Sequence, residues 1–337
     1  MSPVDLAARL DLAFSARKTL VGDRKDAAVR LFAGFVEGPA ELVVDLFGRT
    51  LVVHDYAEGG DEAAVKLAVD VATRQFPSVR AAVAKLRRSA DPLERNGRVV
   101  LGEEKDLDRF VREDGVAYAL ALTMNRDASF YVDTRLLRAW ARSNLAGKRV
   151  LNTFAYTGSL GVAAMAAPAR EVLHVDRNKQ FLNVAKDSYV KNGFPIRRAD
   201  FLALDFFDAV SRLKREDALF DAVFVDPPFF STTDRGKVDL EEEGTRVLDK
   251  VRPLVGHGGA LVVVNNALFV SGAAWIRKLE AICASGYASI ETLVGVPDDA
   301  KGYPETRVAA PPTDPSPFEH PTKIAVLRVE RKDGRRA

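Results

Sequence analysis

The sequence predicts an α/β protein, a doubly wound and mostly parallel sheet preceded by a small α+β domain. Three observations predict it. From Arg126 onward short apolar runs alternate with longer amphipathic stretches, the pattern of strand–helix–strand units. Three successive strands run into acids, Asp176, Asp200 and Asp226, at the edge where such sheets bind ligands. The last two strands are joined by RVAAPPTDPSPFEHP without a helix, so they close the sheet as an antiparallel pair.

Composition bounds the rest. The chain has 337 residues, 47% hydrophobic and 28% charged, an ordinary globular balance with room for two domains. A net charge of +2 sets up no overall demand for nucleic acid, so any basic surface is local. Cys283 is the sole cysteine, which excludes an intramolecular disulfide and a cysteine zinc site. His54, His174, His257 and His320 are scattered without metal-ligand spacing, so no metal is expected. No apolar run is long enough for a membrane span, and Asp5 and Asp11 interrupt the N-terminus where a signal peptide would be apolar. A cytoplasmic protein is expected.

In chain order, residues 1–35 read as two amphipathic helices with a break near Val21–Gly22; their basic faces suit either RNA or water. ELVVDLF and TLVVHDY flank Gly48–Arg49 as a hairpin, and Asp61 precedes an amphipathic helix. VRAAVAKL, GRVVLG and GVAYALAL add strands to a small α+β domain over 36–125. Arg80, Lys85, Arg87, Arg88, Arg95 and Arg98 cluster there, either as a phosphate-binding stripe or as ordinary surface charge.

Residues 126–337 form the larger domain. DASFYVDTRLLRAWARSNL begins extended and turns helical near Asp133, a suitable N-cap. KRVLNTF, EVLHVD, PIRRAD, FDAVFVD, GGALVVVNN, ASIETLVGV and TKIAVLRVER read as seven strands, with helices between the earlier ones. The tail RKDGRRA reads as basic and frayed.

The first strand–helix turn is NTFAYTGSLG, Asn152 to Gly161. It stands where a dinucleotide loop would be but lacks G-x-G-x-x-G; Phe154 and Tyr156 occupy places that close approach of a pyrophosphate would need small. Such a loop suits a cofactor without phosphate, and S-adenosylmethionine is one. Asp176 can accept the ribose hydroxyls, Asp200 the adenine amine, and Phe201 can pack on the ring. FVDPPFF ends the fourth strand, because two prolines cannot continue a ladder. Asp226, the Pro227 carbonyl, Pro228 and Phe229 then suit a flat, amine-bearing ring. The plainer alternative is a proline-terminated strand with a buried Phe.

Together the loop, the acids, DPPF and the closing antiparallel pair resemble a class I S-adenosylmethionine-dependent methyltransferase. RLFAGFVEGPAELVVDLFGRTLVV, SFYVDTRLLR, VLNTFAYTGSLGVAA with HVDRN, and FVDPPFF resemble the bacterial 23S (large-subunit) ribosomal RNA methyltransferases, which have cytosine-5 and guanine-N7 members. The resemblance covers roughly residues 30 to 330. It implies a Rossmann-like seven-stranded sheet with an antiparallel last strand. It adds Tyr131, Asp133 and Arg135 to the cofactor pocket, beside Asn152, Phe154, Tyr156, Thr157, Gly158, Asp176, Arg177, Asp200, Phe201 and Asp226. Too few residues precede Arg30 for the PUA-type domain that some members carry.

The missing thiol is the main departure. Cytosine C5 becomes nucleophilic only after a thiolate adds to C6. In the cytosine-5 members a cysteine follows the fifth strand, where this chain has Asn265 and Asn266. Cys283 lies in RKLEAICAS and reads as a helix residue in apolar surroundings. Methylation of a base nitrogen in 23S rRNA is therefore expected, guanine N7 ahead of an exocyclic amine. The alternatives are a cytosine-5 enzyme, a DNA or small-molecule amino-methyltransferase, and a non-catalytic RNA-binding factor. STTDRGK, after the prolines, reads as a substrate lid or a disordered loop, and Glu241 to Glu243 as a helix start.

Overall fold

The computed structural model describes residues 2–228, 230–233, 236–239 and 244–337. The chain divides into two units, Met1–Asp133 with Pro297–Pro311, and Thr134–Val296 with Pro312–Ala337.

The first unit is built on a five-stranded sheet ordered β1-β2-β3-β4-β5: β1 Ala28–Ala33, β2 Leu42–Phe47, β3 Thr50–Asp55, β4 Ala81–Leu86 and β5 Arg98–Leu101. The β2–β3 hairpin turns at Gly48–Arg49, with Phe47 opposite Thr50. Helix α1, Pro3–Ala16, is followed by the single turn α2, Lys18–Val21; α3, Gly34–Glu37, is a turn between β1 and β2. Helix α4, Glu62–Gln75, starts at the Asp61 cap, whose side chain accepts from Ala64 N. Leu6, Leu10 and Phe14 of α1 share one core with Val65, Ala68 and Val69 of α4. The N-terminal residues are thus not a separate segment, and the boundary at 35 gives way. The second expected helix is the strand β1. AVRLFA is almost wholly buried, and such a short apolar run has no periodicity to separate strand from helix. A short helix α5, Pro92–Asn96, and a hairpin of β6, Phe110–Glu113, with β7, Val116–Ala119, complete the sequence-local part.

The unit takes its last piece from Pro297–Pro311, with α12 at Asp298–Lys301. Asp299 Oδ2 accepts from Arg30 N at 3.1 Å and its carbonyl from Arg17 Nη2 at 2.7 Å. Arg17 and Glu37 form a bidentate pair at 2.9 and 3.0 Å with both side chains fully buried, and Thr306 Oγ1 donates to the same carboxylate. What reads in sequence as a loop of the larger domain is an integral layer of the smaller one.

The second unit is a seven-stranded sheet ordered β10-β9-β8-β11-β14-β16-β15. Its strands are β8 Arg149–Thr153, β9 Glu171–Asp176, β10 Phe201–Ala203, β11 Phe220–Val225, β14 Val255–Asn265, β15 Ala288–Val294 and β16 Lys323–Val329. The first five in that order run parallel, and β16 lies antiparallel to both its neighbours. A backbone hairpin, β12 Phe230–Thr233 and β13 Gly236–Asp239, follows β11, so the described part of STTDRGK is not an irregular loop.

Helices cover both faces. Helices α6 Arg135–Asn144 and α7 Ser159–Ala166 sit over Val150, Phe224 and Val262; α9 Phe206–Arg215, α10 Gly244–Val251 and α11 Gly272–Cys283 sit over Val223, Val225 and Leu261. Alternate residues of β11 thus feed two cores, the arrangement of a strand buried on both sides. Helix α8, Lys179–Asn192, ends at left-handed Gly193. The tail is not frayed: His257 N donates to Arg335 O at 2.7 Å, and Arg335 pairs with Asp217 at 2.6 Å.

Two local expectations fail. Helix α6 is capped by Thr134, whose side chain accepts from Arg138 Nη1 at 2.7 Å rather than from a helix amide, and not by Asp133. Asp200 does not end the third strand but lies in a 3-10 turn, Arg198–Asp200, ahead of β10. Arg197 Nε donates to Asp200 Oδ2 at 2.9 Å and closes that turn. Among the described residues no helix is long and apolar enough to cross a membrane.

Candidate functional site

The second unit brings the loop from Phe154 to Gly158, Asp176 and Asp226 to the carboxyl edge of its parallel strands. The order of those strands reverses between β8 and β11, the switch point at which open α/β sheets bind ligands. Val225 stands opposite Thr153 on one side and Val263 on the other. Asp226, one residue on, therefore leaves the sheet between the first loop and the end of β14.

The β8–α7 loop is held in an unusual backbone. Phe154, Tyr156 and Gly158 have φ of 51°, 50° and 79°. A side chain in that region costs about 1–3 kcal/mol and persists only where its surroundings fix it. Here Ala155 N donates to Val175 O at 2.9 Å and Tyr156 N to Asp176 Oδ2 at 2.8 Å. The Phe154 ring stacks on Phe206 at 4.6 Å, and Tyr156 meets Phe181 edge-on at 4.6 Å. The bulky residues are thus structural pins of the loop. Its glycines serve packing: a Cβ at Gly158 would sit 2.6 Å from Ala185 Cβ, and one at Gly161 2.3 Å from His174 Cε1.

Asp176 is the best-built acid. One oxygen accepts from Tyr156 N and the other from Asn178 N, both at 2.8 Å. A carboxylate has about four acceptor positions, so two remain for a pair of hydroxyls. Burial pushes its carboxyl up, while the two amide bonds pull it down. Arg177 beside it is exposed.

Below lies a sealed polar ladder. Asn152 Nδ2 and His174 Nδ1 are 3.3 Å apart, and His174 Nε2 and Tyr189 Oη 2.9 Å. Burial lowers the His174 pKa to about 3, so the ring is neutral. With Asn152 donating to Nδ1, the ring proton sits on Nε2. Asn152 is 2% exposed and acts as a strut rather than as open pocket wall. Phe201 stacks on His174 at 5.0 Å and carries Lys186 Nζ 5.2 Å from its centroid. Asp200 is buried beside Arg197, and burial raises its carboxyl against that partner.

Thr153 Oγ1 donates to Phe224 O at 2.6 Å, tying β8 to β11 just before Asp226. Asp226 is half-buried, Pro227 buried and Pro228 exposed. Phe229 lies outside the described residues, as do Glu241 to Glu243. Thr157 is buried in the loop. The unit boundary falls between Asp133 and Thr134, so Tyr131 and Asp133 belong to the first unit and Arg135 opens α6 in the second. Within the first unit Asp133 adds its charge to the buried Arg30–Asp45 pair, and Tyr131 lies near Arg87.

The end of β14 joins Asn265, already singled out in the sequence, to Lys323, which was not. Asn265 is fully buried; its Oδ1 accepts from Ala267 N at 2.9 Å, and its Nδ2 has no hydrogen-bond partner among the described residues. Lys323, its cross-strand neighbour, is also fully buried and donates from Nζ to Ala267 O at 2.9 Å. A lysine opening the last strand was a visible signal. Cys283 is the last residue of α11, which starts just past this edge and runs for 12 residues. At 1.5 Å per residue the thiol lies about 17 Å along the helix axis from that start.

The basic cluster of the first unit dissolves into pairs. Arg80 meets Asp108 at 3.3 Å, Arg87 Asp127 at 2.8 Å, Arg88 Glu58 at 3.0 Å and Arg98 Glu94 at 3.0 Å. Lys85 is fully buried, and its Nζ donates to Asn125 O at 2.8 Å. Arg95 donates to Ser89 O at 3.3 Å. Each of these six basic side chains thus has a partner among the described residues.

A mostly parallel seven-stranded sheet with this switch point and an antiparallel β16 defines a fold of the class I methyltransferase type. The chain belongs to the S-adenosylmethionine-dependent methyltransferase family, which it matches over residues 95–306. It is 30% identical over 226 residues to ribosomal RNA large subunit methyltransferase I of Alteromonas mediterranea, covering 66% of this chain and 56% of that one. It is 30% identical over 186 residues to methyltransferase K/L of Psychrobacter sp., covering 54% of this chain and 23% of that one. It therefore spans between a quarter and about half of these relatives' length. Among solved structures, SMU.776, described as a putative methyltransferase complexed with SAH, superposes with a TM-score of 0.83 at 19% identity, covering 98% of this chain and 82% of that one. That likeness bears on the fold.

Proposed function

We propose that the protein methylates a base nitrogen in large-subunit ribosomal RNA, with guanine N7 as the favoured atom and an exocyclic amine second. The observation that carries this reading is the place of the thiol. Cys283 stands at the far end of α11, and Asn265 and Asn266 stand where the cytosine-5 members have their cysteine. The names of the relatives support ribosomal RNA as substrate.

S-adenosylmethionine supplies a methyl group on a positively charged sulfur. The residues present fit its ribose, because Asp176 keeps acceptor capacity beyond its two amide bonds. Asp200 has one oxygen beyond its Arg197 bond for the adenine amine, with Phe201 beside it. The loop from Phe154 to Gly158 is assigned to the methionine end, and Arg135 and Arg177 to the pocket's margin. Asp226, the Pro227 carbonyl and Phe229 are assigned to the acceptor base.

A ring nitrogen such as N7 carries an in-plane lone pair. Bound S-adenosylmethionine would give its methyl carbon to that lone pair, and the carbon–sulfur pair would leave with the thioether. The base takes the positive charge and no proton is removed. Catalysis then rests on alignment, which a rigid loop and a proline-stopped strand supply. The test is transfer of labelled methyl to 23S rRNA by the Cys283→Ala variant. Wild-type rates are expected; complete loss of transfer with the fold intact overturns the nitrogen reading.

A further inference from the structure

Phe269 is 69% exposed, the most exposed aromatic side chain among the described residues. It lies in the turn between β14 and α11, and β14 pairs with β11, the strand that Asp226 follows. Its neighbours in the turn are treated in the opposite way. Ala267 is 1% exposed and Val270 7% exposed, and both belong to the core of the second unit. Val270 N donates back to Ala267 O at 3.3 Å. Beneath, Asn265 Oδ1 takes the Ala267 amide, while Lys323 Nζ takes the Ala267 carbonyl. Ser271 then caps α11 by accepting from Ala274 N at 3.1 Å. The turn is fixed on both sides and from below, so the exposure of Phe269 is built in. Two smaller apolar residues are buried while the largest is left in water, against the direction of the hydrophobic effect. A rigid, outward-facing ring beside the methyl-transfer edge matches what RNA recognition uses: unstacked bases are held on aromatic faces, in a manner tolerant of sequence.

We propose that Phe269 is a stacking platform for an unpaired RNA base at the acceptor side of the site, with Asn265 and Lys323 as the positioning residues that hold it out. This rests on the reading of the protein as an RNA methyltransferase. The occupant is a single-stranded nucleotide at or next to the target.

The test uses the full chain and 23S rRNA from a strain lacking it. Phe269→Ala is expected to raise KM for that RNA about ten-fold, the size of one base–aromatic stack, and Phe269→Tyr to restore it. Phe269→Trp is expected to keep activity and to lose emission when the RNA is added, above the background of Trp140 and Trp275. An unchanged KM in Phe269→Ala together with unchanged emission in Phe269→Trp overturns the platform. If the wild-type chain transfers no methyl to this RNA, the RNA-methyltransferase reading fails. The platform is then judged alone by a mixed-sequence single-stranded RNA added to Phe269→Trp: quenching supports it and its absence overturns it.

Discussion

The Tyr156 amide donates to Asp176 Oδ2 at 2.8 Å, fastening the first loop of the second unit to the acid at the end of the next strand. The bond joins two parts of the proposed cofactor site, because the residue proposed for the ribose also holds the left-handed backbone of the loop proposed for the methionine end.

Substituting Asp176 is therefore expected to do double damage. Asp176→Ala should weaken S-adenosylmethionine binding by about 100-fold, from lost charge-assisted bonds and a loosened loop. Asp176→Asn, which keeps one acceptor oxygen, should lose less. Isothermal calorimetry with the cofactor reads both, and unchanged affinity in Asp176→Ala would remove the ribose assignment.

Acid should unfold the second unit in a way set by His174. Its pKa falls from 6.5 to about 3 in the folded chain, through burial. Between those values the unfolded chain binds a proton that the native chain does not. Stability from this group is thus complete above about pH 6.5 and drains away as pH falls toward 3, by on the order of a few kcal/mol. Urea midpoints measured from pH 7 down to 4 should decline, and His174→Gln should flatten the slope. An equally steep slope in the variant would contradict the assignment.

Gly161→Ala should be costly although Ala is the better helix former. Its Cβ would stand 2.3 Å from His174 Cε1 in a fully buried contact. The cost is expected to be about 1–3 kcal/mol of overpacking. Gly193→Ala is the contrast: nothing lies near its Cβ, and its left-handed φ of 69° is the whole penalty, about 1 kcal/mol. Chemical denaturation of the two variants should rank them in that order.

Glu37→Ala should loosen the 297–311 segment from the first unit. It leaves Arg17 buried without its carboxylate and removes one of the two acceptors of Thr306 Oγ1, the other being Tyr303 O. Breaking one side of a buried pair costs about 3–5 kcal/mol. Limited proteolysis should then cut within 297–311 much faster than in the wild type. An unchanged cleavage pattern would mean that the segment is held by other contacts.

Much of this was legible in the sequence because the second unit's strands are short apolar runs stopped by acids, glycines or prolines. FDAVFV followed by two prolines had one sensible reading. AVRLFA did not, since a run buried on nearly every residue shows no period. The 297–311 segment was hidden because its anchors, Arg17, Arg30 and Glu37, lie more than 250 residues away in sequence, as the 282-residue separation of Arg17 from Asp299 shows. The partners of the basic cluster were hidden for the same reason: Asp108, Asp127 and Glu58 pair with arginines to which no local pattern links them. At the site, Asp176 was placed by position alone. Asp200 was misplaced by one short turn, because the Arg197–Asp200 bond that closes that turn leaves no mark in the residue pattern.

We propose that the methyl group goes to a base nitrogen without help from a thiol. Nucleoside mass spectrometry of 23S rRNA from a strain lacking this protein tests it most directly. Loss of one 7-methylguanosine is the predicted result; loss of a 5-methylcytidine would contradict it.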